Sequence, residues 1–327
     1  MVEEIMPILL AAGVEVTVRE TERPLHALEM VQDLDLDAYD VVATASGDGL
    51  IHEVINGLMS RTAEPRDADA VFGAISLAVI PTGSGNAMAH SLGIDTAIDA
   101  AYTIVKGMPK GVDLMRVERP TGAVSYAAVL VEWALVADVD FYSERLRWMG
   151  GLRFDVEGIR RVLKGDVYTA DLRAEYVARY DQGALVTNEE GEPEQGVLEW
   201  EAQRFQIFVI TNTAFQAKTT QLTPFARVDD GTLDLAIVKA ASRVQLLRLF
   251  TQVAAGAHVS SPLVEYYKVT SVALVPHEKP GAVLGIDGEF VDYGPLDVSV
   301  LPRRVPFLVV DSVLDAVVAK SVYTATA

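Results

Sequence analysis

The sequence predicts a mostly parallel α/β domain followed by an antiparallel, β-rich domain, and three observations carry that prediction. Up to Lys106, strand-like apolar runs alternate with helical patterns. Two of the strand-to-helix junctions carry glycine loops, Ser46-Gly47-Asp48-Gly49 and Pro81-Thr82-Gly83-Ser84-Gly85-Asn86. Beyond Gly107–Gly111 the texture changes to consecutive strands with few helices. Alternating strands and helices imply a parallel sheet covered on both faces. Consecutive strands imply an antiparallel sheet or sandwich.

Taken in order, Glu3–Ala12 reads as a helix and Val14–Val18 as a strand alternating Val with Glu or Thr. A turn at Thr21–Pro24 precedes a helix over Leu25–Asp33 and a strand at Tyr39–Ala43. Over Leu50–Ser60, Ile51, Val54, Ile55, Leu58 and Met59 recur at three and four residues, which buries one face of a helix. Residues 61–70 are a polar connection to the strand Ile75–Ile80, followed by helices at Ala87–Leu92 and Ala97–Lys106. Gly107–Gly111 is the expected domain boundary, giving domains 1–111 and 112–302 and a tail, 303–327. Residues 112–135, 167–180, 197–211, 232–239 and 268–275 read as strands. Gln182–Gln195 is an acidic hairpin or loop, read as a solvated surface. A helix at Arg243–Ala255, a strand at Leu296–Leu301 and a tail with Val309, Val313, Leu314 and Val317 at helical spacing complete the chain.

Glycines at a strand-to-helix turn let backbone approach a ligand, and free amides at the helix end favour an anion. Two such loops in one domain point to a phosphate site. Asp48 stands out there, since an acid beside bound phosphate is repelled unless it does chemistry or handles a metal.

A second acidic constellation lies at Asp138-Val139-Asp140, where an apolar run meets a helix-like Phe141–Met149. Asp140, Glu144 and Arg147 share one face, Phe141, Arg145 and Trp148 another, and the Gly150-Gly151 break lets Arg153 return toward the first. One reading is an exposed helix with intrahelical ion pairs of roughly 0.2–0.5 kcal/mol each. The other has two arginines clamping phosphates in the planar, bidentate way that guanidinium permits, leaving Asp140 for a substrate group.

Composition narrows the partners. The chain has 327 residues, half of them hydrophobic and 22% charged, enough for two ordinary globular domains. A net charge of -19 argues against nucleic acid, and against a polybasic hold on anionic lipid. Zero cysteines exclude disulfides, thiolate catalysis and cysteine-ligated metal, and fit a cytoplasmic location. His26, His52, His90, His258 and His277 show no metal-ligand spacing. The longest apolar run, Tyr126 to Ala137, is interrupted by Glu132 and is too short to span a bilayer, so any membrane contact is expected to be peripheral.

Ser46–Leu58 together with Pro81–Ala87 resembles the diacylglycerol-kinase-type catalytic domain. Ala137–Glu144 with Arg147 and Gly151–Phe154 narrows the resemblance to the sphingosine (sphingoid long-chain base) kinases, and Asp230–Leu235, Gly256–His258 and Asp287–Glu289 continue it over roughly residues 14–302. The resemblance implies an α/β Rossmann-like nucleotide-binding domain, then a β-rich antiparallel sandwich lipid-binding domain, with the active site between them. It implies ATP and Mg²⁺ as cofactors and a sphingoid-base lipid as substrate, and leaves the oligomeric state open. Asp48 matches the catalytic base for the lipid hydroxyl. Thr21, Ser46, Gly47, Gly49, Gly83, Ser84 and Gly85 match nucleotide-contacting positions, as do Gly288 and Glu289, while Glu144, Arg147 and Arg153 match positions near the ATP phosphates. Asp140 matches the aspartate that holds the head group's amino and hydroxyl groups. Diacylglycerol has no amine and ceramide a neutral amide, so a carboxylate there favours the sphingoid base.

Two departures from the family pattern bear on activity. The resemblance expects a first strand and an Asn-Pro-x-x-Gly phosphate loop, and none occurs, so the chain reads as an N-terminally truncated member. A head-group serine of the family falls at Leu130. The missing loop leaves an inactive lipid- or nucleotide-binding homologue as one alternative, and a diacylglycerol or ceramide kinase stands as another.

Overall fold

The computed structural model describes residues 2–62 and 69–326. Its first half holds α1 (Val2–Ala11), α2 (His26–Gln32), β1 (Val41–Ser46), α3 (Asp48–Met59), α4 (Asp69–Phe72), β2 (Ser76–Pro81), α5 (Ala87–Ser91) and α6 (Ala97–Lys106). β1 and β2 pair in parallel, Val41 to Ser46 against Ser76 to Pro81, so both strands end, and both glycine loops begin, at one edge. Most of the polar connection expected over 61–70 lies outside the described residues.

α3 forms as its pattern requires. Ile51, Val54, Ile55, Leu58 and Met59 are buried in a core that also takes Leu77, Val79, Met88 and Phe307. Each such side chain contributes about 1.5–3 kcal/mol by leaving water. Truncating the fully buried Ile55 to Ala removes that and opens a cavity, at a cost of roughly 2–5 kcal/mol.

The second half runs β3 (Met108–Glu118), β4 (Val124–Ala127), β5 (Leu130–Ala134), α7 (Leu135–Ser143), a 3₁₀ turn Glu144–Met149, α8 (Leu152–Lys164), β6 (Tyr168–Asp181), β7 (Ala184–Leu185), β8 (Gly196–Phe205), β9 (Ile207–Thr211), β10 (Leu233–Val238), α9 (Arg243–Gln252), β11 (Glu265–Pro276), β12 (Leu284–Ile286), β13 (Glu289–Val291), β14 (Leu296–Val309) and α10 (Asp311–Thr326). One hydrogen-bonded path runs β1-β2-β14-β11-β10-β9-β5-β12-β13, with β3 and β4 branching from β14 and β6, β7 and β8 from β11. Pairing is antiparallel throughout this half. Its core centres on Trp133, edge-on to Tyr168, Phe205 and Phe208.

Several boundaries differ from expectation. Val14–Val18 is not a strand: β1 pairs only with β2 and no described strand lies beside 14–18, so its backbone has no ladder to join. Val14 and Val16 instead pack on the first core. The 111/112 boundary falls inside β3, and the 302/303 boundary inside β14, which continues past a bulge to Val309 before α10 begins. Residues 112–135 divide into three strands, and 197–211 into two at Gln206, whose side chain bonds Ala241. The 182–195 loop is more than solvated surface, because Glu194 forms a two-oxygen pair with Arg179. The helix expected over Arg243–Ala255 ends as α9 at Gln252, with a 3₁₀ turn after it. α8, β12 and β13 had no counterpart in the sequence reading.

Candidate active site

The two glycine loops lie side by side. Thr82 N–H donates to the Ser46 carbonyl at 3.3 Å, and a Cβ on Gly83 would stand 2.5 Å from the Gly47 Cα. Asn86, left-handed at φ 59, closes the second loop by accepting the Gly83 N–H and donating to the Gly83 carbonyl.

Asp48 joins the loops. Its carboxylate accepts the Ala87 N–H at 2.8 Å and the Met88 N–H at 3.0 Å, the first amides of α5. The expectation that those amides stand free for a bound anion is thus corrected: the protein's own carboxylate takes them. Burial pushes the Asp48 pKa up, and the two amide bonds only partly offset this.

α3 also docks against the β-rich half. Asn56 exchanges two hydrogen bonds with the Tyr126 backbone, at 2.8 and 2.9 Å. One turn earlier, His52 Nδ1 lies 3.2 Å from Asp287 Oδ2. Asp287 accepts the backbone N–H groups of Ala128, Val129 and Leu130, each at 2.9 Å, from a left-handed φ of 51°. Burial works to lower the His52 pKa, but Asp287 more than offsets it and the net direction is up.

The turn after Asp287 reaches residues of both halves. A Cβ on Gly49 would lie 3.4 Å from Glu289 Oε1, and one on Gly288 would lie 3.8 Å from Asp140 Oδ2. Residues 287–289 therefore bring the first glycine loop and Asp140 to one place.

The arginine arrangement follows the expected face. Arg147 Nε lies 2.6 Å from Glu144, Arg153 bonds the other Glu144 oxygen, and Arg153 stands 4.0 Å from Asp140. Arg153 is buried, and its Nε has no hydrogen-bond partner among the described residues, whereas Arg147 is largely exposed. The helix-like 141–149 stretch is in fact the end of α7 and a 3₁₀ turn broken at Leu146. Asp138 and Asp140 part ways, because Asp138 accepts from Tyr168 and Arg161 inside the fold. Thr21 is exposed, and no hydrogen bond or ion pair among the described residues joins it to this cluster.

Comparison with known proteins decides the family. The diacylglycerol kinase catalytic domain matches residues 1–117, and the YegS C-terminal NAD kinase beta sandwich-like domain matches residues 144–309. The chain belongs to this diacylglycerol-kinase-type family. It is 31% identical over 322 residues to Sphingosine kinase 1 of Arabidopsis thaliana, covering 89% of this chain and 65% of that protein. Sphingoid long chain base kinase 5 of Saccharomyces cerevisiae is 26% identical over 382 residues, covering 91% of this chain and 55% of its own length. The chain thus spans about two thirds or less of these relatives. Among solved structures, a diacylglycerol kinase from Bacillus anthracis superposes with a TM-score of 0.62 at 17% identity, covering 95% of this chain and 91% of that one. A further Bacillus anthracis chain reaches a TM-score of 0.69 at 20% identity, with 95% and 92% covered. These likenesses concern the fold.

Two groups in this family member escaped the sequence reading. The His52–Asp287 contact joins residues 235 apart, which no local pattern signals. Glu132 is buried on β5 and hydrogen-bonds Asp140, though in the sequence it only interrupts an apolar run.

Proposed function

We propose that the chain is an ATP-dependent kinase that transfers the γ-phosphate to the primary hydroxyl of a sphingoid long-chain base. The observation that carries this reading is the Asp287–Glu289 turn, with Glu289 at the Asp48 loop and Gly288 at Asp140. A base for a hydroxyl and a carboxylate for a neighbouring ammonium thus flank one turn. The relatives named sphingosine and sphingoid base kinases support the same substrate class. In this reading residues 1–111 bind nucleotide and residues 112–302 bind lipid.

Asp48 takes the hydroxyl proton. Its raised pKa moves it toward the range where a carboxylate is an effective base, and each oxygen keeps a lone pair beyond its amide bond. Ser46, Gly47, Gly49 and the Gly83–Ser84–Gly85 loop, with Thr21, Gly288 and Glu289, bind the nucleotide. Arg147 and Arg153, both held on Glu144, supply positive charge to the phosphates. Asp140 takes the ammonium.

Among the described residues no group of three or more His, Cys, Asp or Glu side chains is placed to hold a metal ion. Mg²⁺ arriving with ATP would find Glu289 as the protein carboxylate at the loop. Bound there, such an ion would neutralise charge on the phosphoryl group.

Among the described residues no helix is long and apolar enough to cross a membrane. Peripheral membrane contact is supported by α8, where Leu152, Val156, Ile159 and Leu163 form an exposed apolar stripe beside the exposed Trp148. Exposed apolar patches of this kind mark interaction sites.

The test is phosphate transfer from ATP to sphinganine, diacylglycerol and ceramide, measured side by side. Transfer to sphinganine alone, abolished by Asp140→Asn, is the expected result. Equal transfer to diacylglycerol would remove the head-group argument, and no transfer to any acceptor would leave the inactive homologue.

A further inference from the structure

Side chains alternate along β5. Val131 and Trp133 enter the sandwich core, so Glu132 between them points to the opposite face. There it is only 3% exposed, and its Oε1 has no hydrogen-bond partner among the described residues. A buried polar atom left unpaired is costly and calls for an explanation.

The surroundings of Glu132 supply one. Asp140 on α7 hydrogen-bonds it, side chain to side chain. On the neighbouring β12, Gly285 faces it, and a Cβ there would stand 2.7 Å from Oε1, so glycine leaves the carboxyl its room. On the other side β9 offers only Val209. Asp287 adds a further negative charge. Asp140 in turn faces Arg153, Glu144 and Arg147. Two carboxyls in hydrogen-bond contact hold one proton between them. Burial, then Asp140, pushes Glu132 well above the ordinary carboxyl range, so the shared proton sits on Glu132 rather than on Asp140. The pair then presents acceptors alone, the Asp140 carboxylate and the unpaired Oε1.

We propose that Glu132 is a specificity-determining residue of the head-group site: with Asp140 it forms a two-carboxyl receptor for a primary ammonium, and releases the shared proton to solvent when that cation binds. This inference rests on the sphingoid-base reading. The exchange balances, because the ammonium keeps its own protons and its charge replaces that of the expelled proton between the two carboxylates. A neutral amide or ester brings no charge to offset a second carboxylate, so the pair keeps its proton and that ligand binds less well.

The test is calorimetry of sphinganine and of N-acetylsphinganine binding to the wild-type chain in mixed micelles, in two buffers of different ionisation enthalpy. Near neutral pH, sphinganine is expected to release about one proton, and N-acetylsphinganine none. Glu132→Gln should abolish the release and raise KM for sphinganine about tenfold or more, the change falling on the lipid rather than on ATP. Sphinganine binding by the wild type without proton release would overturn the inference, and so would an unaltered KM in Glu132→Gln. The wild-type measurement decides even if the variant folds poorly. Transfer to diacylglycerol as fast as to sphinganine would instead defeat the underlying reading, whereas a sphinganine-selective but proton-silent wild type defeats only the role of Glu132.

Discussion

Gly83 packs on Gly47 so closely that a Cβ on Gly83 would lie 2.5 Å from the Gly47 Cα and 2.8 Å from its nitrogen. Both neighbours are backbone, which cannot swing aside as a side chain does. Gly83→Ala is expected to force the loops apart, at a cost of about 1–3 kcal/mol, with a lower Tm and a higher KM for ATP. An unchanged Tm together with an unchanged KM would show that the loops do not meet this closely.

Asp48 has two jobs, and one substitution touches both. Asp48→Asn turns an amide NH₂ toward one of the two α5 amides, so one hydrogen bond is lost and stability falls by about 1–2 kcal/mol. The loss of the base should lower kcat by about a hundredfold or more. Assays run well below the variant's own Tm separate the effects. Retained kcat under those conditions would end the role of Asp48 as base.

The stripe on α8 predicts a measurable membrane affinity. Val156 and Ile159 are each more than two-fifths exposed, and Arg160 and Lys164 flank them on the same helix. Replacing both apolar residues by Asp is expected to reduce co-sedimentation with anionic lipid vesicles, while phosphate transfer to a micellar acceptor persists. Undiminished sedimentation would rule out this face as the contact.

His258 makes stability depend on pH. Its Nε2–H donates to the Leu222 carbonyl at 2.9 Å, and its buried Nδ1 has no hydrogen-bond partner among the described residues. Burial pushes its pKa down to about 4. The folded pKa lies below the unfolded value, so its protonation favours unfolding as pH falls from about 6.5 to about 4, by roughly 3 kcal/mol. Burial pushes Asp234 up to about 6 and acts in the opposite sense, adding stability as pH falls through that range. The contribution of His258 is therefore read as a difference: wild type should lose more stability than His258→Asn between about pH 7 and pH 4, in denaturant titrations. Parallel losses would remove His258 as the cause.

What the sequence disclosed was local. The glycine loops, Asp48 and the Asp140–Glu144–Arg147 face each sit within a few residues of one another, so a strand–loop–helix pattern or a helical spacing reveals them. Arg153 was legible because the Gly150-Gly151 break allows its return. The contacts of Asp287 were not, since it caps three amides at Ala128–Leu130 and meets His52, and chain order hides such contacts. Glu132 looks like a flaw in an apolar run until strand alternation sends it away from Trp133. α8 is hard to read from sequence because Leu152, Val156, Ile159 and Leu163 face outward, against the usual rule that helical periodicity marks a buried face.

β14 has a mechanical consequence. Leu296 and Val298 sit in the sandwich core, while Val305, Phe307 and Val309 sit in the first core, on the same strand beyond its bulge. The strand acts as a splice: neither half can lose its packing without stripping a sheet neighbour from the other. Two domains in composition should therefore melt as a single cooperative transition, with the amides of β14 among the slowest to exchange with deuterium.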